Sequence, residues 1–146
     1  MKFYNREKEL ATLEKVRNMA FSNHSQMLVL TGRRRIGKTS LIFKSCEGSP
    51  TVYLFVSRSN EADLCARFIS EIRQSLDVYI PEIFKFGELF RFLMDLGKRM
   101  KYNLIIDEFQ EFYYVNPEIY SLLQDVWDRY RKESHVNLII SGSVYT

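Results

Sequence analysis

Between a short apolar run, Met27 to Leu30, and a helix-compatible run, Thr39 to Cys46, the chain reads Gly-Arg-Arg-Arg-Ile-Gly-Lys-Thr over Gly32 to Thr39. This is a full match to the pattern G-x-x-x-x-G-K-[ST], in the strand–loop–helix setting that the pattern requires. No other stretch restricts the fold as much, because such a loop works only where a strand hands the chain straight to a helix N-terminus. The two glycines let the backbone turn tightly and aim successive N–H groups inward, as a nest for phosphate oxygens. The helix start adds unpaired N–H groups and the positive end of its dipole. The pattern implies a nucleoside triphosphate site made by Gly32, Arg33, Arg34, Arg35, Ile36, Gly37, Lys38 and Thr39, with Ser40 beside them. Lys38 is expected on the β- and γ-phosphates and the Thr39 hydroxyl on Mg2+. Ser40 stands one place too late for the metal role. The three arginines fill variable positions, where they either touch phosphate or stay solvated and raise the local potential.

The rest of the chain alternates helix and strand patterns. Leu10, Leu13, Val16 and Met19 recur at helical spacing, so a first helix is expected from Arg6 to Phe21 with Asn5 as its N-cap. Strands are expected over Gln26–Leu30, Thr51–Val56, Asn103–Ile106 and Val136–Ser141. Asn60 with Asp63 resembles a capping box, opening a helix with Leu64, Phe68, Ile72 and Leu76 on one face. Further helices are expected from Gly87 to Met100 and, after the Asn116-Pro117 start signal, through Lys132. Apolar strands alternating with amphipathic helices predict an α/β fold, a three-layer α/β/α sandwich around a mostly parallel sheet of about four strands. In such sheets ligands bind at the carboxyl ends of the strands. The phosphate loop, Asp107-Glu108 and Ser141 all fall at such ends.

Leu104-Ile105-Ile106-Asp107-Glu108 has the form of a Walker B element, an apolar strand closing in two carboxylates. Asp107 is expected to bind Mg2+ through its water or through Thr39, and Glu108 to orient or deprotonate the attacking water. If the last strand lies between the first and the Walker B strand, a polar side chain at its end points at the γ-phosphate. Ser141 is the first choice for that sensor and Ser143 the second, and Gln110 is a candidate for ordering water. Phe109, Phe112, Tyr113 and Tyr114 crowd the segment after Glu108, either as packing or as a partner surface. Neither the Asn/Thr-Lys-x-Asp element nor the Asp-x-x-Gly switch of guanine-specific sites is present, which favours ATP over GTP.

The net charge of +3 invites a nucleic-acid reading. Setting aside Arg33, Arg34, Arg35 and Lys38 takes 21 basic residues to 17, against 18 acidic ones. The excess belongs to the phosphate loop, and charge alone predicts no DNA or RNA contact. Cys46 and Cys65 lie in helical patterns without metal-ligand spacing, so they are expected as reduced thiols in a cytoplasmic protein. No stretch reaches the ~18 apolar residues of a membrane helix.

With both halves of the site described, the chain resembles the nucleotide-binding core of the prokaryotic archaeal-type ATPases, within the AAA+/STAND division of P-loop NTPases. The resemblance rests on Phe3-Tyr4-Asn5-Arg6-Glu7-Lys8-Glu9-Leu10, on GRRRIGKTSLI from Gly32 to Ile42, on LIIDEFQ from Leu104 to Gln110, and on the Ser-Gly-Ser at Ser141. It implies strand order 5-1-4-3-2, here reduced to 1-4-3-2 with the fifth strand missing. It also implies base-side roles for Asn5, Arg6 and Tyr4. Residues 1–146 are expected to form one ATPase core, an N-terminal piece of a longer protein whose lid and effector region follow. The expected function is Mg-dependent ATP hydrolysis by in-line water attack, with Glu108, Lys38 and Ser141 as catalytic residues. Turnover is expected to be slow without an arginine finger, which can supply ~10³–10⁵ in rate. The alternative is a nucleotide-dependent protein- or DNA-binding module in which hydrolysis is incidental. Expected partners are a second copy at the bared edge of the first strand and DNA or protein through the C-terminal region, with no membrane.

Overall fold

The computed structural model describes residues 6–32 and 37–143. The chain runs α1 (Arg6–Ser22), β1 (Gln26–Gly32), α2 (Lys38–Cys46), β2 (Thr51–Phe55), α3 (Glu61–Leu76), α4 (Phe86–Leu96) and β3 (Tyr102–Asp107). A 3-10 turn (Phe109–Glu111), a one-turn helix α5 (Phe112–Val115), α6 (Ile119–Tyr130) and β4 (Val136–Ser143) follow. The four strands form one parallel sheet in the order β1-β4-β3-β2, the expected order. All their carboxyl ends therefore lie at one end of the molecule.

Helices cover the two faces unequally. On one face α3, α4 and α6 bury Leu64, Phe68, Ile72, Leu89, Leu93 and Ile119 against Leu54, Leu104, Leu138 and Ile140 of the sheet. On the other, Ile42 and Cys46 of α2 meet Ile105 and Ile139 in a much smaller cluster. β3 is buried along its whole length, as a central strand covered on both faces must be. β1 and β2 are the edges, and Met27 and Val29 of β1 are exposed. Among the described residues no helix is long and apolar enough to cross a membrane, and both cysteines are free and buried.

Several boundaries differ from those read in the sequence. The helix expected to reach Met100 gives way after Leu96 to a run of turns, in which Gly97 keeps helical dihedrals and the Met100 amide still reaches the Leu96 carbonyl at 3.1 Å. A Cβ at Gly97 would lie 2.2 Å from Ser134 Oγ, and its carbonyl accepts the His135 amide at 2.8 Å. The last helix begins at Ile119, not at Pro117, because the Asn116 side chain accepts the Glu118 amide at 3.1 Å and holds an Asx turn first. β1 and β4 each run two residues longer than expected, pairing as far as Gly32 with Ser143. The Asn60 cap forms as read, its Oδ1 accepting the Asp63 amide at 2.8 Å, although Asp63 answers the Asn60 amide nitrogen and not the backbone.

Candidate functional site

The carboxyl ends of β1, β3 and β4 bring Gly32, Asp107 and Ser141 to one rim of the sheet, with the N-terminus of α2 beside them. Register pairs Leu30 with Ser141, Thr31 with Gly142 and Gly32 with Ser143, so the phosphate loop leaves the sheet from beside the Ser-Gly-Ser segment. Gly37 is the N-cap of α2 with φ of +79°, a left-handed conformation that glycine adopts at no steric cost. A Cβ there would also stand 2.5 Å from Arg6 Nη1, and the Arg6 guanidinium donates to the Gly37 carbonyl at 3.5 Å. Arg6, Glu9, Leu30, Thr31, Gly37, Lys38 and Leu41 line a cavity of about 110 Å³ between α1 and this turn. Thr39 and Ser40 are exposed in the first turn of α2, where helix amides lack intrahelical partners. Arg33, Arg34, Arg35 and Ile36, with Tyr4 and Asn5, lie outside the described residues.

Asp107, at the end of β3, is 6% exposed. Its Oδ1 accepts the Glu108 amide at 2.8 Å and its Oδ2 accepts the Tyr53 hydroxyl at 2.5 Å. A carboxylate offers about four lone-pair sites, so two remain. Burial, helped by this hydrogen bond and the Asp107 charge, pushes the Tyr53 phenol well above its ordinary range, and Tyr53 stays a donor. The next residue, Glu108, has φ of +54°, a region that side-chain-bearing residues enter at roughly 1–2 kcal/mol. Such strain concentrates where a side chain must be aimed. Here it turns the buried Glu108 carboxylate toward β4, where Oε2 accepts Ser143 Oγ at 2.7 Å while Oε1 accepts Gln110 Nε2 at 2.8 Å.

β4 completes the rim. Ser141 is fully buried, and its hydroxyl has no hydrogen-bond partner among the described residues. The Gly142 carbonyl accepts the Lys38 ammonium. Gly142 lies close against Gln110, since a Cβ would come within 2.6 Å of the Gln110 Oε1, a buried atom with no hydrogen-bond partner among the described residues. Gly142 and Ser143 at the end of β4 thus touch the phosphate-loop lysine and the Glu108 carboxylate respectively.

Of the two serines singled out in the sequence, Ser141 carries the unpaired hydroxyl and Ser143 the bond to Glu108. The aromatic segment divides. Phe112 is buried and Phe109 packs on it and on Tyr120, whereas Tyr113 and Tyr114 are exposed, with the Arg58 guanidinium 3.7 Å from the centre of the Tyr114 ring. Sequence reasoning missed Tyr53, read only as a strand residue. The signal was alternation: Tyr53 pairs with Ile105, two residues before Asp107, which puts it on the face where Asp107 points. Among the described residues no group of three or more His, Cys, Asp or Glu side chains is arranged to hold a metal by itself. One buried carboxylate and a helix-start hydroxyl suit a hard cation held chiefly by phosphate and water.

A family model described as an ATPase domain predominantly from Archaea matches residues 3–145. An uncharacterized protein of Methanocaldococcus jannaschii is 33% identical over 141 residues, covering 97% of this chain and 29% of that protein. The solved structure of a Walker-type ATPase of Pyrococcus abyssi aligns with a TM-score of 0.69 at 21% identity, over 94% of this chain and 44% of that one. Cdc6p from Pyrobaculum aerophilum aligns with a TM-score of 0.64 at 21% identity, over 98% of this chain and 40% of that one. The chain therefore spans less than half the length of each of these proteins.

Proposed function

The chain belongs to the family of ATPase domains found predominantly in Archaea, and from that premise we propose that it binds ATP with Mg2+ at the carboxyl end of its sheet and hydrolyses it slowly. One observation carries the reading. The end of β4 contacts Lys38 through the Gly142 carbonyl and Glu108 through Ser143, joining the phosphate-binding cation and the buried carboxylate in one bonded set.

In this reading Gly32 to Thr39 is the Walker A loop and Leu104 to Glu108 the Walker B strand. Lys38 leaves the Gly142 carbonyl for the β- and γ-phosphates, and Arg33, Arg34, Arg35 and Ile36 contribute backbone N–H groups to the nest. Thr39 and Asp107 would hold Mg2+, which would supply positive charge to the phosphate oxygens. Glu108 accepts a proton from water as its oxygen attacks the γ-phosphorus in line with the breaking bond, releasing ADP and inorganic phosphate. Ser141 donates its buried hydroxyl to the γ-phosphate. Arg6, which lines the cavity at Gly37, takes a base-side role together with Asn5. The protein works in the cytoplasm. The exposed edge of β1 is a pairing surface for a second copy, and DNA or another protein is the further partner class.

The occupied Glu108 carboxylate also favours a second reading, a nucleotide-dependent switch that organises a partner surface and turns over incidentally. Thermal unfolding with Mg-ATP, Mg-GTP and Mg-ADP tests the shared core of both. Adenine nucleotide at about a hundred times its Kd should stabilise the fold by about 2.7 kcal/mol, and Lys38→Ala should abolish the effect. A cooperatively folded chain that no nucleotide stabilises would refute the proposal.

A further inference from the structure

Tyr53 sits on β2, at the edge of the sheet farthest from the phosphate loop, yet its hydroxyl reaches the Asp107 carboxylate. Its ring packs on Phe43 of α2, centroids 5.1 Å apart, five residues after Lys38. The tyrosine therefore braces the carboxylate against the helix that begins at Lys38 and Thr39. Asp107 is held from both sides, Oδ1 by the Glu108 amide and Oδ2 by the Tyr53 hydroxyl. Two fixed donors remove its freedom to rotate, so the lone pairs left over point in set directions. Magnesium demands near-ideal octahedral geometry, whereas calcium tolerates 6–8 ligands in flexible arrangements. Groups that orient a metal-binding carboxylate typically alter metal affinity 10–100-fold when removed.

We propose that Tyr53 is a positioning residue that sets the affinity and selectivity of the nucleotide site for Mg2+ by fixing the Asp107 carboxylate. The inference rests on the ATP-site reading above and goes beyond it by naming a residue outside both sequence motifs. A bystander role in packing would need only the ring. Tyr53→Phe separates the two, because it keeps the ring on Phe43 and removes one oxygen.

The test follows a fluorescent ATP analogue, mant-ATP, titrated with Mg2+ and separately with Ca2+, using the parent chain, Tyr53→Phe, Asp107→Asn and the double variant. Tyr53→Phe should raise the Mg2+ half-saturation about tenfold and the Ca2+ value less, with metal-free binding unchanged. In the Asp107→Asn background the same substitution should add nothing, since Tyr53 acts through that carboxylate. Superimposable Mg2+ curves for the parent and Tyr53→Phe would overturn the role of Tyr53 while leaving the ATP site standing. A parent chain that binds no mant-ATP with Mg2+ would remove both. If Tyr53→Phe lowers the ligand-free melting temperature and shifts Mg2+ and Ca2+ equally, the residue is structural and the proposal fails.

Discussion

Replacing Ser141 with alanine removes one oxygen from the interior, and the structure predicts an unusual pairing of effects. The Ser141 hydroxyl is fully buried, with no hydrogen-bond partner among the described residues. An unsatisfied buried hydroxyl costs about 1–3 kcal/mol relative to the solvated group. The space vacated by one oxygen is smaller than a water molecule needs, so little is lost in packing. Ser141→Ala should therefore stabilise the ligand-free protein by about 1 kcal/mol, raising the melting temperature by roughly 2–4 °C for a chain of this size. The same change should slow single-turnover ATP hydrolysis about a hundredfold, the usual loss when one donor to transition-state charge is deleted. Ser143 provides the contrast. Its hydroxyl donates to the Glu108 carboxylate at 2.7 Å, and hydrogen bonds to charged groups are worth about 1.5–3 kcal/mol. Ser143→Ala should lower stability where Ser141→Ala raises it, although the two lie on one strand two residues apart. Calorimetry of the ligand-free variants gives the signs directly. Should Ser141→Ala destabilise the resting protein, the hydroxyl has a partner after all and its assignment as a poised phosphate donor is wrong.

Other perturbations reach different parts of the same rim. Glu108→Gln should keep ATP binding and lose hydrolysis; if partner binding survives with ATP still bound, the switch reading prevails over the motor reading. Gly142→Ala puts a methyl group 2.6 Å from Gln110 Oε1, the end of a flexible side chain that can swing aside, so the denaturant midpoint should move little while turnover falls as Gln110 is driven off Glu108. Alkaline pH acts through two phenols. Burial raises the pKa of both Tyr102, whose hydroxyl donates to the Leu93 carbonyl, and Tyr53. Being raised in the folded state, they contribute stability that is complete below the unfolded value of about 10 and is lost as pH rises toward the folded values. Melting temperatures followed upward from pH 9 should fall, and less steeply in Tyr102→Phe.

Much of this architecture was legible because its signals are local and redundant. The phosphate-loop spacing, the apolar Leu104–Ile106 run closing in two carboxylates, and the alternation of strand and helix patterns each point to one parallel sheet. The order β1-β4-β3-β2 came from the resemblance. Features that depend on residues far apart in sequence were harder to read. Gly97 reads as one more residue of α4, and only the approach of Ser134 and Val136 shows why a side chain has no room there. The left-handed turn at Glu108 carries no glycine to advertise it. Tyr53 had an unremarkable place in a β-branched and aromatic run, and its meaning lies 54 residues away in Asp107. The Gln110 amide nitrogen holds Glu108, a contact that its place two residues along the chain does not announce.

The unequal faces of the sheet have a consequence for where the protein stores its order. The broad core under α3, α4 and α6 fixes the fold, while the layer that presents Lys38 and Thr39 rests on a smaller set, Ile42, Cys46, Ile105 and Ile139 with Leu30 and Tyr53 against them and Leu13 and Ala20 of α1. Regions with few buried apolar contacts open at lower free energy than the global unfolding cost. The nucleotide-facing layer is thus the soft side of a firm sheet, and a bound triphosphate would act on it as a second core, polar where the other is oily. Free energy of binding then goes partly into quieting α1 and α2, so that occupancy is written as local stiffness before any strand has to move.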